Sequence, residues 1–364
     1  MRKDTIPGVD FRNGVEESPP SPDGTARGGR APGEGRGDPA GPTRLLVTGG
    51  AGFVGSAYVR HVLGPDGPGD VTVTVLDKLT HAGTLTNLTT VLADPRFGFV
   101  HGDVCDPAVV ARLAARHDEI VHFAAETHVD RSVDGTAVFV STNVLGTQTL
   151  AEAALRGGVR RFVHISTDEV YGHGGAGPRA EDAPLAPDSP YSASKASSDL
   201  IALAHHHTHG LDVRVVRAAR TYGPHQFPEH TVPYLVTRLM GGLDVPRGSG
   251  GGRARDWLHV EDHCRGIELA RTRGRPGGTY NLGGGAELSE EQLTGLLAEL
   301  CGGPPADRRA EASSGTDGAP RPGATRSRAC SELGYRPRRA LTEGLAETTA
   351  WYRDNRAWWE PLTS

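Results

Sequence analysis

A tyrosine and a lysine stand four positions apart in residues 191–195 (YSASK). If this segment is helical, Tyr191 and Lys195 project from the same face, one turn apart. We expect the ammonium to stabilise a phenolate and lower the pKa of Tyr191, which makes the phenol a base that takes a hydroxyl proton while a hydride leaves the carbon. The spacing alone is common, but Thr167 follows an apolar run and offers a hydroxyl to the same substrate oxygen.

A glycine-rich segment at residues 49–55 (GGAGFVG) is the second candidate site. Gly49, Gly52 and Gly55 permit a tight turn and let backbone N–H groups approach a pyrophosphate at the start of a helix. A tight turn without a ligand is the alternative for an isolated match. Asp77 closes the next apolar run, where a carboxylate accepts hydrogen bonds from ribose hydroxyls and repels a 2′-phosphate. The pattern therefore predicts a dinucleotide site that takes NAD rather than NADP.

Two later positions extend this dinucleotide site. Asp103 follows a third apolar run and is placed to meet the adenine edge. Ala124 and Ala125 follow a fourth run, and their small side chains leave room for a cofactor. In this order the residues fit a cofactor that lies across the carboxyl edge of a sheet.

The elements that must position these residues alternate along the chain. Apolar runs predict strands at residues 44–48, 71–76, 97–100, 120–124, 161–166 and 213–216. Helical periodicity predicts helices at residues 56–63, 107–116, 142–156 and 191–207. Such alternation implies right-handed crossovers and helices on both faces of the sheet. The predicted fold class is α/β, with a doubly wound parallel sheet.

Composition divides the chain into regions. Residues 1–42 are rich in Gly, Pro, Ser and charge, so we expect a disordered extension. Residues 43–218 form the predicted dinucleotide-binding domain, with a returning segment at about 255–285. Residues 219–254 and 286–364 are predicted to form a smaller, discontinuous α/β substrate-binding lobe, with a long Gly- and Pro-rich loop at 302–328. Helical spacing returns at 341–355, and Trp351, Trp358 and Trp359 are most simply core residues.

Charge and composition exclude several classes of function. The net charge is −5 and the 39 basic residues are scattered, which argues against nucleic acid or an anionic membrane as a partner. No apolar stretch is long enough to span a membrane. The four cysteines are far apart and do not form the disulfide framework that is typical of a secreted domain. We therefore expect a reducing compartment and a cytoplasmic protein. We predict no metal site, because the adjacent histidines at 205–207 would point in different directions on a helix.

The chain resembles the extended short-chain dehydrogenase/reductases, and specifically the NDP-hexose 4,6-dehydratases of the dTDP-glucose type. The resemblance runs from about residue 44 to 361. It is carried most specifically by residues 77–80 (DKLT), 122–132 (HFAAETHVDRS), 166–172 (STDEVYG), 222–229 (YGPHQFPE) and 255–264 (RDWLHVEDHC). It implies a Rossmann fold, NAD as cofactor, a nucleotide-sugar substrate and a homodimer formed through the helices at 142–156 and 191–207.

Motifs and resemblance together give three sets of predicted site residues. The catalytic residues are Thr167, Asp168, Glu169, Tyr191 and Lys195. The residues that bind NAD are Gly49, Gly52, Phe53, Val54, Gly55, Asp77, Lys78, Leu79, Thr80, Asp103, Val104, Phe123, Ala124, Ala125, Thr127, Thr142, Tyr191 and Lys195. The residues that bind substrate are Thr127, Thr167, Arg220, His230 and Arg255.

The adjacent carboxyl groups of Asp168 and Glu169 separate this family from plain epimerases and reductases. Oxidation at C4 of the hexose gives a ketone, which acidifies the proton on C5. We expect Glu169 to remove that proton while protonated Asp168 donates to the departing C6 hydroxyl. Return of the hydride to C6 gives an NDP-4-keto-6-deoxyhexose with no net change in NAD.

The substrate-binding segments depart from the family pattern. The replacements are Arg220-Thr221 for Asn-Asn, His230-Thr231 for Lys-Leu, residues 246–249 (PRGS) for Pro-x-Tyr-Gly, Glu290 for an asparagine, and residues 321–325 (RPGAT) for Arg-Pro-Gly-His-Asp. Arg220 offers a cation for phosphate, and Arg255 is suited to a bidentate grip on it. We therefore expect intact chemistry beside rebuilt nucleotide recognition, and the hypothesis to test is whether the base or the sugar differs from that of dTDP-glucose.

The leading interpretation is a dehydratase that acts on dTDP-glucose. Two other interpretations stay open. A 4-epimerase or a uronate decarboxylase uses the same scaffold. The epimerase needs no acid at Asp168, and the decarboxylase needs a carboxylate-binding pocket, for which Arg220 is the only sign. A non-catalytic protein that binds NAD or a nucleotide sugar is the second interpretation, and the intact catalytic residues argue against it.

Overall fold

The computed structural model describes residues 41–127, 129–172, 178–245, 254–302 and 325–363. All but two residues of the predicted disordered extension lie outside these ranges. So do the segment at 246–249 that departs from the family pattern and most of the predicted loop at 302–328.

Ten strands form two sheets in the described ranges. They are β1 (Thr43–Thr48), β2 (Val71–Asp77), β3 (Phe97–His101), β4 (Glu119–His122), β5 (Arg161–Thr167), β6 (Val213–Ala218), β7 (Arg220–Tyr222), β8 (Arg255–His259), β9 (Thr279–Leu282) and β10 (Glu287–Leu288). The larger sheet has seven strands in the order β3-β2-β1-β4-β5-β6-β9, and all its pairings are parallel. The predicted doubly wound parallel sheet is confirmed, and each predicted strand is present in it.

Twelve α-helices connect and cover the strands in the same ranges. They are α1 (Phe53–Leu63), α2 (Pro107–Ala114), α3 (Val129–Asp134), α4 (Thr136–Phe139), α5 (Gly146–Gly157), α6 (Pro190–His209), α7 (Thr231–Met240), α8 (Val260–Arg273), α9 (Glu290–Leu300), α10 (Ser327–Leu333), α11 (Leu341–Asp354) and α12 (Arg356–Thr363). Short 3-10 helices occupy Leu85–Leu88 and Asp168–Tyr171, and a π-helical segment, Val140–Leu145, joins α4 to α5. The helix predicted at 142–156 therefore begins inside this π-helical segment. No helix of the described chain is both long and apolar enough to cross a membrane.

The two faces of the large sheet carry separate hydrophobic cores. Val47 and Val121 face one core with side chains of α1 and α8. Leu46 and Ile120 face the other, with α2, α5 and α6. Successive side chains of a strand point to opposite faces, so strands covered on both sides read as continuous apolar runs.

The smaller sheet has the order β10-β8-β7 and lies with a third core. β7 pairs with β8 in parallel, and β8 pairs with β10 antiparallel. Trp359 is buried in this core, and Trp351 and Trp358 pack against it, as predicted for core residues. The division of the chain into a cofactor domain and a substrate-binding lobe stays a prediction.

A buried ion-pair network ties α8 to the large sheet. The carboxylate of Glu119, at the start of β4, is 2% exposed. It accepts hydrogen bonds from Arg161 at 2.6 Å and Arg271 of α8 at 2.6 Å, and it lies 3.3 Å from a nitrogen of Arg160. Arg271 also pairs with Glu268 at 2.6 Å. The long connection after β8 is thereby anchored to the sheet.

We expect Glu119→Gln to lower the free energy of unfolding by on the order of 2 to 4 kcal/mol, because it leaves buried guanidinium groups without their counter-charge. Urea denaturation followed by circular dichroism measures this. Glu299→Gln, at an exposed position of α9, is the matched control and should change stability by less than about 0.5 kcal/mol. Equal stability of the two variants would contradict the anchoring role of the network.

Candidate active site

Helix α6 begins at a capping box that fixes the position of Tyr191. The hydroxyl of Ser189 accepts the backbone N–H of Ser192 at 3.0 Å, and the hydroxyl of Ser192 accepts the backbone N–H of Ser189 at 3.0 Å. Pro190 occupies the first helical position, where its missing N–H costs nothing. Tyr191 therefore lies in the first turn of α6, and Lys195 follows one turn later.

The environments of Lys195 and Tyr191 differ from the sequence-based expectation. Lys195 is 4% exposed, and its ammonium donates to the carbonyl oxygen of Ile165 at 2.6 Å. Burial lowers the pKa of Lys195 to about 8. Burial, and then the charges of Glu169 and Asp168, raise the pKa of Tyr191 above its usual value. The prediction that Lys195 lowers the pKa of this tyrosine is wrong for the polypeptide alone, because burial and the carboxylates dominate.

The two carboxyl groups that are predicted to be catalytic, Asp168 and Glu169, follow each other at the end of β5. Thr167 caps the 3-10 helix that follows, and its hydroxyl accepts the backbone N–H of Glu169 at 3.2 Å. The same hydroxyl donates to Oδ1 of Asp168 at 3.5 Å. Burial and the nearby charge of Glu169 raise the pKa of Asp168 to about 7. Asp168 therefore keeps its proton in a substantial fraction of molecules near neutral pH, as a general acid requires.

Arg220 comes from β7 and lies at the same end of the site. Its Nη2 atom is 3.7 Å from Oε1 of Glu169. The sequence suggested a cation for phosphate at this position, whereas the structure places the guanidinium beside a catalytic carboxylate.

One cavity of about 990 Å³ brings the predicted site residues together. Its walls include all the predicted catalytic and substrate-binding residues and all the predicted NAD-binding residues except Leu79. Leu79 has a φ of 52°, and its backbone N–H donates to Oδ1 of Asp77 at 2.8 Å. It therefore orients the aspartate instead of lining the cavity.

The glycine loop leaves space where a pyrophosphate would approach α1. A Cβ atom at Gly49, where φ is +70°, would lie 2.5 Å from the backbone nitrogen of Ala124, and one at Gly55 would lie 2.2 Å from the carbonyl oxygen of Gly49. These two glycines are required by close backbone packing. A Cβ atom at Gly52 would meet only the Gly49 oxygen, at 3.4 Å. Gly52 lines the cavity, so the space beside it is open to a ligand.

Polar groups farther along the cavity also fit NAD. Oδ2 of Asp77 accepts the backbone N–H of Ala51 at 2.9 Å, so each carboxylate oxygen has one protein donor and keeps capacity for a ribose hydroxyl. Across the cavity, Nζ of Lys78 lies 3.6 Å from Oδ2 of Asp103 and 3.2 Å from the hydroxyl of Thr142. The residues present therefore fit a dinucleotide between the glycine loop and Tyr191.

Asn143 is a positioning residue that the sequence did not indicate. It is buried in the π-helical segment, where its side chain accepts the N–H of Glu126 at 2.8 Å and donates to the carbonyl of Glu126 at 3.0 Å. It also donates at 2.8 Å to Ser194, whose hydroxyl donates to the carbonyl of Tyr191 at 2.7 Å. Asn143 thus joins the loop after β4 to the first turn of α6.

Other cavity residues, which lie in α7, α8, β5, β8, β10 and loops, were missed because nothing in their local pattern shows that they face the cavity. They include Glu126, Ser166, Gln226, Phe227, Tyr234, Trp257, His263 and Leu288. The segment at 222–229 carried a family signal that pointed to Gln226 and Phe227. In the described part of the chain, no three His, Cys, Asp or Glu side chains form a group suited to a metal ion.

We expect Gly52→Ala to fold normally but to bind NAD about tenfold or more weakly, because its methyl group enters the ligand space. The backbone at Gly52 is extended, with φ −76°, so alanine introduces no strain. Calorimetric titration with NAD and thermal unfolding measure the two properties. Gly98→Ala in β3 is the control, since a Cβ there meets only ordinary contacts at 3.8 Å or more. Unchanged NAD affinity in Gly52→Ala would contradict the assignment of this space to the cofactor.

Comparison with known sequences places this geometry in a family. A model of the NAD dependent epimerase/dehydratase family matches residues 45–283. The chain is 56% identical over 327 residues to the dTDP-glucose 4,6-dehydratase of Streptomyces antibioticus, which covers 87% of this chain and 95% of that protein. It is 54% identical over 319 residues to a protein of the same name from Actinoplanes sp., with 87% and 99% covered.

Solved structures of both dehydratases and epimerases match the fold of this chain. DesIV, a dTDP-glucose 4,6-dehydratase from Streptomyces venezuelae solved with NAD and TYD bound, matches with a TM-score of 0.81 and 50% identity, covering 88% of this chain and 100% of that chain. A UDP-glucose 4-epimerase from Thermotoga maritima matches with a TM-score of 0.74 and only 28% identity, covering 86% and 100%. The predicted fold, cofactor and lyase class are confirmed. The chain belongs to the NAD dependent epimerase/dehydratase family and, within it, to the dTDP-glucose 4,6-dehydratases, which are NAD-dependent hydro-lyases.

Proposed function

We propose that the protein converts dTDP-glucose to dTDP-4-keto-6-deoxyglucose by an internal oxidation, loss of water and reduction. The observation that carries this proposal is the pair of carboxyl groups at the end of β5. Asp168 and Glu169 lie beside Tyr191 in one cavity, and the pKa of Asp168 is raised to about 7. The choice of dTDP-glucose rests on relatives of that activity at 54% and 56% identity.

In the first step, Tyr191 takes the proton of the C4 hydroxyl while the hydroxyl of Thr167 binds the same oxygen. Bound NAD supplies the hydride acceptor and a pyridinium cation, whose positive charge favours the phenolate that burial disfavours. Lys195 fixes the inner face of α6 through its bond to the carbonyl of Ile165.

In the elimination step, two carboxyl groups take opposite roles. Glu169 removes the proton from C5, which the C4 ketone has acidified, and the C5–H electrons form a double bond to C6. The C6–O bond breaks, and Asp168 donates its proton to the departing hydroxyl to form water. After the hydride returns to C6, Glu169 gives its proton back to C5.

The prediction of altered nucleotide recognition stays a prediction. His230 and Arg255 line the cavity beyond the catalytic carboxylates, together with Glu290 at the start of α9. We expect these three residues to be among those that contact a bound nucleoside diphosphate. The activity of the relatives favours dTDP as the nucleotide. A comparison of turnover on nucleotide sugars with different bases tests this.

We expect dTDP-glucose to give the 4-keto product with a kcat/KM about tenfold or more above that for UDP-, CDP- or GDP-glucose. The absorbance of the 4-keto sugar in alkali measures turnover.

Asp168→Asn should bind NAD normally and lose about 100-fold or more in kcat, because its amide cannot protonate the leaving hydroxyl.

The other outcomes separate the competing functions. Formation of the C4 epimer without a keto product would assign an epimerase. Bound NAD with no product from any nucleotide sugar would assign a non-catalytic binding protein. Selective use of another base would support altered nucleotide recognition and overturn dTDP-glucose as the substrate.

We also propose that two copies of the chain form a homodimer through α6 and the helix that contains the π-helical segment. Large apolar side chains are exposed there, with Val140 at 50%, Leu145 at 52% and Leu200 at 60%. A cluster of exposed apolar side chains is typical of an interface.

The free cysteines agree with a reducing compartment, so we place the enzyme in the cytoplasm.

We expect Leu200→Glu to shift the protein from dimer to monomer, because a charge at a desolvated interface has no partner. Sedimentation velocity measures the assembly. Leu243→Glu, at a position 56% exposed after α7, is the control and should stay dimeric. A monomeric wild-type protein would rule out the dimer.

A further inference from the structure

Arg220 reaches the catalytic carboxylates from a backbone position that is held on both sides. β7 pairs with β8 so that Arg220 lies opposite Trp257. The hydroxyl of the next residue, Thr221, is hydrogen-bonded to the carbonyl of Ala219 at 3.1 Å and to Nδ1 of His263 at 3.0 Å. The start of the arginine side chain is therefore fixed, while the side chain as a whole is 33% exposed and lines the cavity.

The guanidinium treats the two carboxyl groups differently. Nη2 of Arg220 forms an ion pair with Glu169 at 3.7 Å. Asp168 instead accepts the hydroxyl of Thr167. Among the residues that the structure describes, Arg220 has the only cationic nitrogen shown within 4 Å of either carboxylate. Its buried Nε has no hydrogen-bond partner there, so no other protein acceptor holds that edge of the group.

We propose that Arg220 is a positioning residue for the acid–base chemistry. It pairs with Glu169, so that Glu169 is the ionised base while Asp168 keeps the proton. The inference rests on the proposed dehydration, because only an elimination needs the two groups in opposite protonation states.

The physical reason is that adjacent carboxyl groups titrate as a coupled pair. One proton can reside on either group unless the surroundings distinguish them. A cation beside one carboxylate stabilises the ionised form of that group most, because the interaction weakens with distance. Arg220 therefore biases the shared proton towards Asp168.

The other charged groups around the pair do not make this distinction. Arg220 also lowers the pKa of Asp168, so its preference for Glu169 rests on the 3.7 Å ion pair. Asp256 and Arg255 of β8 act on Asp168 in opposite directions, and their effects on its pKa partly cancel. In α6, Lys195 donates to the carbonyl of Ile165, and in the polypeptide alone burial and the two carboxyl groups keep the phenol of Tyr191 protonated. Burial lowers the pKa of His263 of α8 to about 3, so this ring is also neutral.

The test compares Arg220→Asn and Arg220→Lys with the wild type. Arg220→Asn removes the charge from a side chain that is 33% exposed, so a folded protein is expected. Selective ¹³C labelling of the Asp and Glu carboxyl groups, with Glu169→Gln and Asp168→Asn for assignment, follows both titrations by NMR without any substrate. We expect the Glu169 midpoint to move up by about one pH unit or more in Arg220→Asn and to return towards the wild-type value in Arg220→Lys.

Kinetics supply a second readout. We expect both limbs of the pH profile of kcat/KM for dTDP-glucose to move to higher pH in Arg220→Asn, because removal of a cation makes ionisation of both carboxyl groups harder. Arg112→Asn, which removes an exposed charge on α2, is the control and should leave the profile unchanged.

Two results would overturn the inference. An unchanged carboxyl titration in Arg220→Asn would show that Arg220 does not distinguish the two groups. A raised KM with unmoved pH limbs would assign Arg220 to phosphate binding. Because the NMR titration uses no substrate, failure of the proposed dehydration, seen as absent keto product in the wild type, is a separate result.

Discussion

Two neighbouring carboxyl groups cannot both be ionised in a largely buried place without a large cost, and the active site is organised around this constraint. Asp168 and Glu169 follow each other out of β5 into a single 3-10 turn, which holds both beside the same cavity. Burial and the charge of Glu169 raise the pKa of Asp168 to about 7, so a proton stays on the pair near neutral pH. Elimination uses this asymmetry, because one group must accept a proton while the other donates one.

The same burial acts on the groups beneath the pair. It lowers the pKa of Lys195 to about 8, and the ammonium is held by the carbonyl of Ile165. Although burial opposes it, hydrogen bonding and charge from His164 and Arg217 hold the pKa of Asp199 below its usual value. This internal carboxylate favours the charged form of Lys195. The polar face of α6 is thus fixed to the sheet by a network that the solvent does not reach.

The sequence predicted those parts of the molecule that short segments determine. Strands covered on both faces appear as apolar runs, and Gly55 is required by its contact with the carbonyl oxygen of Gly49 in the same turn. The π-helical segment was not foreseen, because apolar periodicity does not encode a change of hydrogen-bond register, and Asn143 was missed with it. The raised pKa of Tyr191 was also missed, since burial depends on segments distant in the chain. Strands as short as β7 and β10 show no period at all.

Arg220 shows why departures from a family pattern need a structure before they can be interpreted. In the sequence it lies among replacements at substrate-binding positions, which suggested a change in nucleotide recognition. In the fold, β7 begins directly after β6, the strand that pairs with β5, so residue 220 reaches the carboxyl end of β5. A change that belongs to the predicted substrate-binding lobe by chain position therefore lies beside Glu169, a proposed catalytic carboxylate, in space. Parallel strands bring their carboxyl ends to one edge of the sheet. Residues proposed to bind the substrate and residues proposed to react with it therefore lie next to each other at that edge.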